Sequence, residues 1–303
     1  MSKFVWSIGM IAAFTCGLAW GEDDSPPLPF HTVEGNSGVF ITPTAYLTNP
    51  PKEGQTWGLP SISVSAAIME HVDFQSFGIT ENVLGRFELG YAMERLGLND
   101  WPGDVRRVTG RRIDNEVYLH NFNLRALLLE EGAFDSGWLP AVTVGAHFKW
   151  NDGVTDIDRQ LNGTCDALGA DRAWGTEFTV TASKTFTELL PRPVILTAGL
   201  RNSDAIHTGL LGFAGERATT FEGSAIVFLT DRLMLASEYR QKSDLLDHKG
   251  SCGLIGEEND WWDICLGYIV NKHLTIAGGY AHFGHILNHR EDNVWAFQLK
   301  YEF

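Results

Sequence analysis

The stretch Val294-Trp295-Ala296-Phe297-Gln298-Leu299-Lys300-Tyr301-Glu302-Phe303 decides the fold. Read with a period of two, Trp295, Phe297, Leu299, Tyr301 and Phe303 fall on one face. Val294, Ala296, Gln298, Lys300 and Glu302 fall on the other. Successive side chains of a strand point to opposite sides of a sheet. One aromatic-aliphatic face and one polar face suit a transmembrane β-barrel, with lipid outside and water or packed polar groups inside. The same pattern suits an edge strand of a soluble β-sandwich, so the rest of the chain must choose between them.

Working outward, the chain breaks into twelve segments of about ten residues, the length of a tilted spanning strand. They are 59–70, 72–80, 84–96, 115–129, 141–151, 173–185, 193–202, 218–229, 232–243, 261–270, 273–283 and 293–303. Counted back from Phe303, the connections alternate. Short turns at 271–272, 230–231 and 81–83 and intermediate ones at 186–192 and 130–140 interleave with long loops at 284–292, 244–260, 203–217, 152–172 and 97–114. Short periplasmic turns and long outer loops mark a membrane barrel, and this phase puts both termini on the periplasmic side. A soluble sandwich has no reason to keep it. The expected fold is all-β, a single antiparallel transmembrane barrel of about twelve strands over residues 59–303.

Alternation recurs inside the segments. Phe87, Leu89, Tyr91 and Met93 oppose Arg86, Glu88, Gly90 and Glu94; Trp262, Ile264, Leu266 and Tyr268 oppose Asp263, Cys265 and Gly267. Only 72–80 is ambiguous, because Phe77 and Ile79 share a face with Asp73 and Gln75. Aromatics near strand ends (Trp150, Trp174, Trp262, Trp295, Tyr301) suit interfacial girdles.

Bulk properties agree. The 303 residues carry a net charge of −15, which argues against a nucleic-acid partner, since phosphates demand basic patches. No internal run reaches the length of a membrane helix, so a membrane span has to be a closed barrel. At the N-terminus, Lys3 precedes an apolar run from Phe4 to Trp20, with Ala19 and Gly21 set for cleavage before Glu22. Residues 1–21 therefore read as a secretory signal peptide. Residues 22–58 read as a Pro-rich periplasmic lead-in that includes an internal segment.

Two stretches carry family resemblances. An alternating strand that stops on a terminal Phe303 resembles the closing strand of bacterial outer-membrane proteins, which implies a location in the outer membrane, contact with its lipid, and recognition of that strand by the barrel-assembly machinery. Gly35-Asn36-Ser37-Gly38-Val39-Phe40-Ile41-Thr42-Pro43-Thr44-Ala45-Tyr46-Leu47 resembles the segment that precedes the first hairpin in Gram-negative barrels of unknown function, including the YjbH-like proteins.

The chemistry resides in the inward set: Arg86, Glu88, Glu94, Arg125, Lys149, Glu177, Arg201, Glu222, Glu238, Arg240, Asp263, Lys300 and Glu302. These either line a pore or solute-binding site or pair across the lumen and hold it shut; unpaired, each would cost several kcal/mol. Their mixed sign does not indicate a selective ion channel. The expected function is therefore passage or binding of a small solute, with a non-conducting structural or envelope-biogenesis barrel as the alternative. Cys165 and Cys252 fall in outer loops of an exported chain, where a disulfide between them is one of the open pairings, and Cys265 faces inward. His282, His285 and His289 crowd the last outer loop at irregular spacing, so no metal site is expected, and no cofactor. No enzyme is expected either: His120 faces lipid without a serine on a neighbouring strand at its depth, and nucleophilic catalysis needs that pair.

Overall fold

The computed structural model describes residues 30–187, 191–246 and 248–303; the expected signal peptide lies outside them. The strands are β1 (Ser61–Ile68), β2 (Asp73–Val83), β3 (Phe87–Gly97), β4 (Glu116–Leu129), β5 (Ala141–Asp152), β6 (Trp174–Phe186), β7 (Val194–Ala205), β8 (Phe213–Phe228), β9 (Leu233–Arg240), β10 (Trp261–Ile269), β11 (Leu274–His282), β12 (Gly284–Ile286), β13 (His289–Glu291) and β14 (Val294–Glu302). All but β12 and β13 form one closed antiparallel barrel in which sequence neighbours pair. Closure is made by β1 and β14, in register from Ser61–Glu302 to Ile68–Trp295. The twelve expected strands are thus the twelve barrel strands. β12 and β13 form a separate two-stranded ribbon in the last outer loop.

The period-two pattern becomes an inside and an outside. Along β10, Asp263, Cys265 and Gly267 are buried while Trp262, Ile264, Leu266 and Tyr268 are exposed. The ambiguous β2 resolves the same way, with Ser76, Gly78 and Thr80 inward and Phe77 and Ile79 outward. The outer wall is consequently a belt of aliphatic and aromatic side chains, Val64, Leu89, Phe122, Phe178, Leu200 and Phe297 among them. Such a belt with every backbone group paired inside the sheet is what lipid requires. Among the described residues no helix is long and apolar enough to cross a membrane.

The outer loops are more structured than their composition suggests. They carry α1 (Trp101–Thr109), α2 (Val154–Gln160) and α3 (Thr164–Ala167). α1 carries Pro102 in its first turn, where a missing N–H is tolerated, and is capped by Gly110, where φ of 74° closes a bond from its N–H to the Arg106 carbonyl. Trp101 and Val105 pack with Leu98, Val117, Ile157 and Leu210 into an apolar cluster that caps the outer mouth. β8 starts five residues earlier than expected, at Phe213, because it pairs with Ala205 beyond a register shift in β7.

Within the expected lead-in, the internal segment is longer than residues 35–47. From Phe30 to Leu47 the chain is almost wholly buried inside the barrel, so that this stretch fills the lumen instead of waiting in the periplasm.

Candidate functional site: the filled lumen

The internal segment has little regular structure of its own, so its backbone polar groups need partners elsewhere. The wall supplies them. One Glu238 carboxylate accepts the N–H groups of Phe40 (2.7 Å), Ile41 (3.0 Å) and Thr42 (2.6 Å) and the Thr42 hydroxyl (2.5 Å). Consecutive amides converging on one anion form a nest. Glu88 accepts the amides of Ser37 (3.1 Å) and Thr48 (2.8 Å) and pairs with Arg125 at 2.8 Å; Arg125 also donates to the carbonyls of Ser37 and Thr44. The His31 amide donates to the Gln298 side chain, while its ring lies 2.7 Å from Ser63 Oγ and 2.5 Å from Thr80 Oγ1.

The charged centre is Glu34. Its carboxylate lies 2.6 Å from Lys149 Nζ, 3.0 Å from Arg201 and 3.1 Å from Arg240. Those cations are bridged by wall carboxylates: Glu177 pairs with Lys149 (2.9 Å) and with Arg201, and Glu222 with Arg201 and Arg240 (3.1 Å each). One residue comes from each of five consecutive strands, β5 to β9. Three cations therefore face three carboxylates, and the set is balanced only with Glu34 in place. The Glu34 carbonyl further accepts the Asn121 and Asn123 side chains.

Lys149 joins this plug to the outer cap. Its ammonium also donates to the Thr208 carbonyl at 2.9 Å, in the loop that descends into the mouth between β7 and β8. Asn151, next inward on the same strand, holds the Gly209 and Leu210 carbonyls. At the opposite end the Tyr46 hydroxyl bonds Glu131 and Thr185. Burial alone would raise the Glu131 carboxyl, but hydrogen bonds from Lys184 and Tyr46 hold it below the usual carboxylate range.

Where plug and wall touch, the wall gives way through glycine. A Cβ at Gly90 would stand 2.0 Å from the Gly35 carbonyl oxygen, and one at Gly267 would stand 2.4 Å from the Phe30 ring. Both positions face the lumen as notches that receive the segment.

Of the expected lumen residues, Glu88, Arg125, Lys149, Glu177, Arg201, Glu222, Glu238, Arg240, Asp263 and Lys300 are buried. Lys300 pairs with Glu302 at 2.6 Å. Arg86 is a correction. It lies in the exposed turn before β3, pairing with Glu130, because Leu84 and Gly85 take positive φ and the strand begins only at Phe87. Cys165, Cys252 and Cys265 are free in the structure, one of the outcomes that the sequence leaves open beside a Cys165–Cys252 bridge. Burial, reinforced by Asp158, pushes the Cys165 thiol up to about 12, so the thiolate that disulfide exchange requires is scarce. Among the described residues no group of three or more His, Cys, Asp or Glu is arranged for a metal. His120 stacks on Trp150 on the outer wall, and its hydrogen-bond partner is the Tyr91 hydroxyl at 2.8 Å. Glu34 was missed because it sits in an aperiodic, Pro-rich stretch; its only signal is an isolated acid next to Gly35.

Comparison with curated proteins finds no match. Among solved structures, the chain is similar to the outer-membrane protein Omp33 of Acinetobacter baumannii (TM-score 0.45, 8% identity, covering 81% of this chain and 98% of that one). It is similar to the COG4313 outer-membrane channel of Pseudomonas putida F1 (0.46, 10%, 87% and 100%). It is also similar to the outer-membrane phospholipase of Salmonella typhi (0.36, 10%, 84% and 94%). A set that spans a channel and a phospholipase carries no argument about activity. The YjbH-like resemblance of residues 35–47 stands on those residues alone. The profile of DUF3034, a protein family of unknown function, matches residues 29–300, and the chain belongs to that family.

Proposed function

We propose that this protein is a bacterial outer-membrane barrel whose lumen is closed at rest, with residues 30–48 as a resident plug. The reading rests on one observation: Glu34, carried by the plug, pairs with three buried wall cations at once. An open, water-filled pore leaves its lining charges hydrated. Here they serve as hydrogen-bond and ion-pair partners for a piece of the same chain. The inward charges thus act as a lock, which favours the non-conducting alternative over a standing channel. Passage of a small solute requires the plug to shift, and breaking a buried pair by removing one partner costs about 3–5 kcal/mol.

Export by the signal peptide, insertion by the barrel-assembly machinery acting on the strand that ends in Phe303, and residence in outer-membrane lipid complete the proposal. Single-channel recording in a planar bilayer tests it. Folded wild-type protein is expected to stay silent, and Glu34→Ala to show bursts of discrete openings. Frequent, stable openings of the wild type would reject the closed lumen.

A further inference from the structure

Between the plug and the outer cap the lumen retains a cavity of about 60 Å³. Its walls are overwhelmingly apolar, with the rings of Phe40, Phe74, Trp261 and Phe283 among them. Two acids also line it, Glu94 from β3 and Asp263 from β10, strands on opposite sides of the barrel. Glu94 is 1% exposed and Asp263 3%. Glu94 Oε1 and Asp263 Oδ1 have no hydrogen-bond partner among the described residues. The one cationic residue at the cavity, Arg240, is engaged by Glu34, Glu222 and the Ile41 carbonyl.

A buried carboxyl oxygen without a partner is costly, and each such group calls for an explanation. Two of them on one apolar chamber leave carboxyl oxygens facing a space that no described side chain fills. Aromatic walls attract cations through their ring faces, and a charged donor bonds a carboxylate more strongly than a neutral one does. A metal ion would want several oxygen ligands in place of rings. The volume admits about two waters by liquid volume, or a molecule of a few heavy atoms.

We infer that this chamber is a binding site for a small primary ammonium ion on a short apolar body, its N–H donors directed at Glu94 and Asp263 and its carbon atoms against the aromatic wall. The proposal rests on the closed-lumen reading, since Phe40 belongs to the plug. Glu94 is the main anchor because its strand neighbours, Ser76 and Leu119, offer it no cation. Asp263 is secondary, being hydrogen-bonded to Glu238, opposite it in the β9–β10 register.

Ethylammonium is the probe and ethanol its neutral isostere, followed by saturation-transfer NMR on folded protein in detergent at constant ionic strength. With three heavy atoms the dissociation constant is limited to about the millimolar range. Ethylammonium is expected to saturate and to bind about tenfold or more tightly than ethanol. Glu94→Gln is expected to erase that preference, and Asp231→Asn, at an exposed periplasmic turn, to leave it intact. Equal binding of the two probes, binding of neither, or a preference that survives Glu94→Gln overturns the site. If Glu94→Gln does not fold, as judged by heat-modifiable gel mobility, the wild-type probe ratio decides alone. Conductance of the same preparation separates the two proposals. A silent barrel that binds neither probe sinks only the ammonium site, whereas a conducting one sinks the closed lumen as well.

Discussion

Glu34 Oε1 lies 2.6 Å from Lys149 Nζ, and both side chains are fully buried. The first belongs to the plug and the second to β5, and Lys149 also holds Thr208 of the outer loop at 2.9 Å. The inner plug and the outer cap therefore meet on a single lysine. Removing the plug's acid leaves the three wall cations facing two carboxylates.

Glu34→Ala is accordingly expected to weaken plug docking by about 3–5 kcal/mol. Limited proteolysis from the periplasmic side of reconstituted protein measures this, since the buried residues 30–48 become cleavable while the barrel stays intact. Glu34→Gln keeps the shape and loses the charge, and is expected to fall between wild type and alanine. Equal resistance in all three would argue that the ion pairs are incidental.

Gly90→Ala places a methyl group against the Gly35 carbonyl, and Gly267→Ala places one against the Phe30 ring. Overpacking of this kind costs about 1–3 kcal/mol. Thermal unfolding is expected to show the loss for each. Combining Gly267→Ala with Phe30→Ala is expected to cost less than the sum of the two singles, because the deleted ring vacates the space the methyl needs. Additive losses would mean that Phe30 does not sit in the Gly267 notch.

The outer cap is expected to loosen in acid. Asp104 of α1 accepts hydrogen bonds from Asn288 and His289 at 2.7 Å each. The Asn288 bond is the main cause that holds its carboxyl below 3.8; burial opposes it, and His289 and Arg107 assist. For a carboxylate lowered by folding, the stabilisation is complete above the unfolded pKa and is lost as pH falls through the folded one. Hydrogen exchange across residues 98–115 is expected to accelerate once the pH drops below about 4. Asp104→Asn is expected to remove that acid step and to exchange faster at neutral pH. An unchanged acid step in the variant would assign it to another group.

The outward face should reject charge. Leu266 is exposed near the middle of β10, opposite Leu235 and Gly278 on its neighbours. Leu266→Arg is expected to destabilise insertion into liposomes by about 2–4 kcal/mol if it lies near the bilayer midplane. Folding equilibria in lipid vesicles measure it, and a change within a few tenths of a kcal/mol would argue against a lipid-facing wall.

The barrel was legible in the sequence because membrane strands impose a strict period of two and a strict alternation of loop lengths. Trp262, Ile264 and Leu266 could point nowhere but outward once Asp263 and Cys265 were counted. Strand ends were less legible. Arg86 has the parity of Glu88 but lies beyond the point where Leu84 and Gly85 turn the backbone. The plug was only half visible. Gly35 to Leu47 stood out as an internal segment, yet its conformation is set by wall partners such as Glu238 and Glu88, more than a hundred residues away in the first case. A segment without repeating geometry leaves no periodic trace, and so Glu34 was read as part of a lead-in. α1 did leave a signal, an Asp100-Trp101-Pro102 start and a Gly110 stop, within a loop whose charge masked it.

The central claim is that residues 30–48 reside in the lumen, and amide hydrogen exchange in lipid-reconstituted protein tests it most directly. Phe40, Ile41 and Thr42 donate their amides to buried Glu238, and Ser37 and Thr48 donate theirs to buried Glu88. The account expects these amides to be protected for as long as those of the β3 and β9 strands that carry the two acids. Exchange within seconds, on a barrel whose strands remain protected, would contradict it.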